Sequence, residues 1–151
     1  MMMKKTILAM AALAFMAWGC SSDGDDSLIP QTRIEAGTDV RPSYVAPNYN
    51  LYEQTMTVDV QLQDILKPYA SANDLILAKV GEEVRGVATP LQVDEEWFFP
   101  IIVAANTAGE QVVLSYYCDK LHRIFTISWT RFDASVAPTG EDGIYKPEFV
   151  K

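Results

Sequence analysis

From Tyr52 to Gln63 apolar and polar residues alternate with a period of two. Tyr52, Met56, Val58, Val60 and Leu62 hold the even positions. Glu53, Thr55, Thr57, Asp59, Gln61 and Gln63 hold the odd ones, and Gln54 is the one break. Successive side chains of a strand point to opposite faces, so this pattern predicts a strand with one buried and one wet face. Residues 75–88, LILAKVGEEVRGVA, predict a hairpin: Leu75–Val80 runs in, Gly81-Glu82 turns and Glu83–Ala88 runs out. Glycine at the first loop position suits a II′ turn, and a two-residue loop avoids setting Lys79 opposite Arg85. Further strands are predicted over Trp97–Ala105, kinked or bulged at Pro100, over Gln111–Tyr117, and over Leu121–Thr130. In the last of these Leu121, Phe125, Ile127 and Trp129 share a face expected to be core. Polar turns separate the strands at Asp94–Glu96, Asn106–Glu110 and Cys118–Lys120, and residues 64–73 make a connecting or short helical turn. Regularly spaced strands without a long helical segment predict an all-β fold, an antiparallel β-sandwich of immunoglobulin-like or jelly-roll-like form, as a single domain.

The ends of the chain depart from this pattern. Every residue from Ile7 to Trp18 is apolar, behind a basic start at Lys4 and Lys5. A helical membrane span needs about 20 apolar residues, so this shorter run reads as the apolar region of a secretory signal. Residues 21–48 are polar, with Pro30, Pro42 and Pro47. They are expected to form a flexible tether to about residue 30, then a looser extended approach able to add an edge strand. The expected organisation is a signal peptide over 1–19, a lipidated cysteine and tether over 20–48, and the sandwich over 49–151. The closing GIYKPEFV could dock as a last edge strand, because Ile144, Tyr145, Phe149 and Val150 would otherwise face water together.

Two resemblances refine this reading. Ala17-Trp18-Gly19-Cys20 resembles the bacterial lipobox, with Ala17 in place of the usual leucine and a bulky Trp18. The resemblance implies that Cys20 becomes the first mature residue and takes acyl chains, which anchor the chain to a membrane. The following Ser21-Ser22-Asp23-Gly24-Asp25-Asp26 resembles the acidic export signal of lipoproteins in some gut-dwelling Gram-negative bacteria. It implies a lipid-anchored place on the cell outer membrane, exposed at the surface. The span from Tyr52 to Ile127 is similar to a small β-sandwich module of surface and secreted proteins in the same bacterial group. The resemblance rests on Thr55-Met56-Thr57-Val58, Asp74-Leu75-Ile76, Gly81, Arg85-Gly86-Val87-Ala88, Trp97-Phe98-Phe99, and Tyr117-Cys118-Asp119. Leu77-Ala78-Lys79 and the Cys118 before Asp119 depart from it. It implies a fold and a location, and no catalytic residues.

Charge and cysteine count narrow the functions. The whole chain has a formal net charge of −8, and losing residues 1–19 removes Lys4 and Lys5 and no acid. Such a chain repels phosphate backbones and anionic lipid, so no nucleic-acid partner is expected and attachment falls to acyl chains. With Cys20 acylated, Cys118 has no partner for a disulfide, and a lone cysteine of this kind is most often a small buried hydrophobe. One histidine, His122, and one free cysteine make a poor zinc site, and no calcium loop, nucleophile elbow or phosphate loop is present. No cofactor, metal or catalytic residue is expected, and the chain is read as a non-enzyme.

Three residues stand out as binding candidates. Arg85, beside Gly86, could present its fork to a carboxylate or a sugar hydroxyl, or pin the sheet by pairing with Asp74 or Asp119. Trp97 could be a sugar platform next to Asp94, although it opens an apolar strand and core packing is the favoured role. Asp94-Glu95-Glu96 could supply glycosidase carboxylates, but these must stand across a cleft and adjacent turn residues point into water. The expected function is a surface-anchored lipoprotein with a non-catalytic binding or interaction domain for glycan or protein. The alternatives are a structural subunit of a surface assembly held by strand addition, and a small hydrolase.

Overall fold

The computed structural model describes residues 33–107, 109–127, 130–131 and 144–150. The signal segment, Cys20, the acidic run after it and Trp129 lie outside the described residues, as does most of the tail before Ile144.

Ten strands make up the described structure. They are β1 (Gln54–Gln61), β2 (Leu75–Val80), β3 (Glu83–Ala88), β4 (Leu91–Val93), β5 (Glu96–Ala105), β6 (Gln111–Cys118), β7 (Arg123–Ile127), β8 (Thr130–Arg131), β9 (Ile144–Tyr145) and β10 (Phe149–Val150). One sheet has the order β4-β5-β1-β9, the other β10-β7-β6-β2-β3 with β8 also on β6. All pairs are antiparallel except β1 with β9. The fold is an all-β sandwich.

The alternation in β1 sets the core. Met56, Val58 and Val60 are buried and stand opposite Val103, Ile101 and Phe99 of β5, also buried. The register runs unbroken from Gln54↔Ala105 to Gln61↔Phe98, so Pro100 introduces no bulge in the pairing, one of the two forms expected from sequence. Pro100 lies past the end of β4, where one side of β5 has no strand partner, and a strand tolerates proline there. The facing sheet contributes Ile76, Ala78, Leu114, Tyr116 and Phe125. Tyr116 is the centre of the aromatic packing, 5.8 Å from Phe99 edge-on, 6.0 Å from Phe125 stacked and 5.4 Å from Phe149.

The β2–β3 hairpin has its two-residue loop at Gly81-Glu82, with Gly81 at φ 59° and Val80 opposite Glu83. Farther from the turn the register shifts: Lys79 faces Val84, but Ala78 faces Gly86. Arg85 is the extra residue of a β-bulge, a device that re-aims a side chain. Val84 and Val87 consequently share the outer face, where they pack on Leu75, Leu77 and Tyr117.

Three other features depart from the sequence expectations. β4 is an added strand, exposed at all three positions, so it had no buried face to betray it. β7 starts at Arg123, because Leu121 and His122 belong to the turn and His122 takes φ 46°. No strand forms over residues 33–48. Instead residues 33–41 strap across the β6–β7 turn: the Gly37 and Asp39 amides donate to the carbonyls of Leu121 (2.7 Å) and His122 (2.8 Å). The Ile124 amide donates to Asp39 Oδ2 at 2.8 Å, and Arg123 Nη1 to the Glu35 carbonyl at 2.7 Å. Ile34 is buried in the core, and the compact unit runs from Thr32 to Lys151. A Cβ on Gly37 would sit 2.8 Å from the His122 carbonyl oxygen, so the close crossing requires glycine there.

At the other end of the chain, the docking expected of GIYKPEFV is observed. β9 lies beside β1 in one sheet and β10 beside β7 in the other, so the segment spans both sheets and buries Phe149.

Candidate functional site

The bulge turns Arg85 inward. The residue is 6 % exposed. Its Nη1 lies 3.4 Å from the Ala104 carbonyl and 3.5 Å from Glu110 Oε2. Its Nε lies 3.0 Å from Glu83 Oε2, but the N–H is not directed at that oxygen and has no hydrogen-bond partner among the described residues. The guanidinium also sits 4.7 Å above the Tyr52 ring, and the Tyr52 hydroxyl donates to Glu83 Oε1 at 2.5 Å. That hydrogen bond, and then Arg85, hold the Glu83 carboxylate below its ordinary value; the same bond raises the Tyr52 phenol. The pairing of Arg85 with Asp74 or Asp119 expected from sequence is not formed; Glu83, Glu110 and Tyr52 take that place. Nor is the room beside Gly86 open to a ligand. A Cβ there would meet the Ile102 carbonyl oxygen at 2.5 Å, because β5 crosses against β3 at this point.

Asp74 is bound elsewhere. It is fully buried at the start of β2, and its carboxylate accepts four hydrogen bonds. The donors are the Ser71 amide (3.0 Å), the Ser71 hydroxyl (2.8 Å), the Tyr116 hydroxyl (2.6 Å) and the Asp119 amide (2.9 Å). Four acceptances fill a carboxylate's capacity, which is how a buried acid is accommodated. Burial, and then the Asp74 charge, push the Tyr116 phenol far above its ordinary value.

Trp97 and Asp94 belong to a different region. Val93 pairs with Glu96 across a two-residue turn, and both turn residues take positive φ, Asp94 at 47° and Glu95 at 71°. Two positive values mark a type I′ turn, here built without the usual glycine. Asp94 and Glu95 point to water, while Glu96 accepts from Gln61 Nε2 at 3.0 Å and pairs with Lys67 at 3.2 Å. Trp97 is half-buried against the core and walls a recess of about 60 Å³ with Leu62, Lys67 and Ala70. Ala104, which Arg85 reaches, lies seven residues along β5 from Trp97. At a strand's rise that is about 23 Å. Trp97 and Asp94 thus share the β4–β5 hairpin, but the recess that Trp97 walls is lined by Glu95 and Glu96 and not by Asp94, and Arg85 lies apart from both. Cys20 lies outside the described residues.

The remaining reactive side chains do not assemble. Cys118 is buried, its Sγ donating to the Tyr69 carbonyl at 3.5 Å, and burial pushes its thiol up. His122 is exposed in the turn beyond it. Among the described residues no three His, Cys, Asp or Glu side chains gather as a metal site would need. Among them, too, no helix is long and apolar enough to cross a membrane.

An open groove of about 640 Å³ lies between residues 43–48 and the β2–β3 turn, completed by Tyr52, Lys79 and Glu82–Val84. Tyr44 and Val45 are exposed along it, at 38 % and 85 %. Sequence reasoning did not find this site, because residues 43–48 read as tether. An aromatic residue between Pro42 and Pro47 was the one signal available. Compared with family models, with curated proteins and with solved structures, the chain matches none.

Proposed function

We propose that the chain is a lipid-anchored, surface-displayed binding module without catalytic activity, whose ligand is a glycan or another surface protein. The observation that carries this reading is the open groove beside the β2–β3 turn, which joins exposed aromatic and aliphatic side chains to a charged rim; no histidine stands beside Ser43 in its lining, and its two carboxylates, Glu82 and Glu83, are sequence neighbours and not a facing pair. The lipobox-like Ala17–Cys20 and the acidic Ser21–Asp26 support the anchored location. Glycan-array and pull-down measurements on the chain carrying Cys20→Ser test the reading. Silence in both, together with hydrolase activity abolished by Glu95→Ala or Glu96→Ala, would replace it with the hydrolase alternative.

A second reading, a subunit of a surface assembly held by strand addition, is favoured by one observation. The C-terminal segment fills an edge of each sheet through only two paired residues apiece. A segment held so briefly is the element such assemblies exchange between copies. A chain ending at Asp133 that stays monomeric and keeps full stability would count against it.

A further inference from the structure

We infer that the groove is a saccharide site, and that it takes an uncharged, pyranose-based polymer along Tyr44 and Tyr52. The inference rests on the binding-module reading and names its ligand class. The geometry supports it in three ways. First, the groove is open along its length, so it suits a stretch of an extended polymer better than an enclosed small molecule. Second, it offers the two surfaces a sugar ring requires. The rings of Tyr44 and Tyr52 can pack against the C–H face of a pyranose, and Glu82, Lys79 and Asn48 bring acceptors and donors for its hydroxyls. Tyr52 is already held in place, with Arg85 over its ring and Glu83 on its hydroxyl, so little ordering is needed on binding. Third, an anionic polymer fits poorly. Glu82 and Glu83 line the groove with Lys79 as the cationic side chain among its described lining residues, on a chain of net charge −8, which opposes an anionic polymer. β3 is the terminal strand of its sheet, so a peptide strand added along it is the competing occupant, and the protein arm of the test separates the two.

The test is affinity electrophoresis of the full chain carrying Cys20→Ser through gels containing xylan, mixed-linkage β-glucan, galactomannan or starch, with polygalacturonate as the anionic contrast. The expected result is retardation by at least one neutral polysaccharide and none by polygalacturonate. Tyr44→Ala, at an exposed position, is expected to weaken that retardation by about ten-fold or more, and Glu82→Gln several-fold. Leu91→Ala, on the distant β4–β5 hairpin, should leave it unchanged, and thermal melts of each variant verify folding. Retardation by polygalacturonate alone, or neutral binding untouched by both groove variants, overturns the inference while leaving the binding-module reading standing. If no polysaccharide binds but a purified surface protein does, the saccharide inference falls and the broader reading survives. If nothing binds, both fall.

Discussion

Replacing Asp74 by Asn tests whether the polar knot under the core works as described. The substitution keeps the shape and changes one acceptor oxygen into an NH₂ donor. In one orientation the NH₂ takes the Oδ1 place, against the Asp119 amide and the Ser71 hydroxyl. In the other it takes the Oδ2 place, against the Ser71 amide and the Tyr116 hydroxyl. A hydroxyl can rotate and accept, but a backbone N–H cannot. Either way one backbone amide loses its acceptor and faces another donor. Losing a hydrogen bond to a charged group costs about 1.5–3 kcal/mol, and an orphaned buried donor adds to it, so Asp74→Asn should destabilise by about 2–4 kcal/mol. For a domain of this size that lowers the melting midpoint by roughly 10 °C. Asp74→Ala removes all four acceptances and should cost about 4 kcal/mol or more. The assay is urea unfolding followed by tryptophan fluorescence, with Tyr116→Phe and the double variant completing a cycle. The two single changes share a hydrogen bond and should couple by about 1 kcal/mol or more. An Asp74→Asn protein within about 0.5 kcal/mol of the parent would refute the claim that the four hydrogen bonds carry the buried charge.

Three further outcomes follow from the same geometry. Gly86→Ala should cost about 1–3 kcal/mol in urea unfolding, because its Cβ would meet the Ile102 carbonyl oxygen at 2.5 Å and neither backbone can easily withdraw; a neutral result would mean that β3 and β5 are not in close contact. Glu95→Gly should raise stability by about 0.5–1 kcal/mol, since φ 71° costs a side-chain-bearing residue about 1–2 kcal/mol and glycine's greater unfolded freedom returns only part of that. Alkaline titration should unfold the protein: a phenol whose folded value is raised contributes fully below its unfolded value near 10, and the contribution is lost as pH climbs above it. Tyr116 phenolate absorbance and Cys118 reactivity toward a thiol reagent should therefore appear together with unfolding and not before it.

How much of this was legible depended on which side chains carry each feature. β1 and the β2–β3 hairpin were visible because burial of one face writes a period of two into residue types. β4 was invisible because Leu91, Gln92 and Val93 are all exposed, and nothing selects an alternation there. The strap over residues 33–41 was missed because backbone amides at Gly37 and Asp39 hold much of it, and any non-proline residue offers such a group. Ile34, the Asp39 carboxylate, the Arg123 guanidinium and the close approach at Gly37 do depend on side-chain identity, but none of them writes a periodic pattern into the sequence. The bulge at Arg85 was missed for a subtler reason. In an unbroken hairpin Arg85 and Val87 share one face, and the shift between Ala78 and Lys79 separates them.

The short motifs that stood out as candidate chemistry are largely absorbed by the fold. Asp74 and Asp119, from separate motifs, meet where one carboxylate accepts the other residue's amide. Arg85 and Gly86 form the corner where β3 and β5 come together, the arginine bonded to one β5 carbonyl and the glycine admitting another. Charge and glycine in the middle of a strand are therefore read better here as the means of joining two sheets than as a ligand site. Arg85 nevertheless reaches the surface indirectly, through the Tyr52 ring it supports and the Glu83 it pairs with. Both of those residues line the groove. A structural arginine thus fixes the posture of the wall that a ligand would touch. The opposite wall is residues 43–48, which continue directly from the strap at 33–41. That wall is exposed at every residue but Pro47 and is tied only near its ends, by Arg41 donating to the Asn73 carbonyl and by the Tyr49 hydroxyl donating to the Ile102 carbonyl, so one wall stands on the core through Arg85 and the other is a loop pinned on both sides.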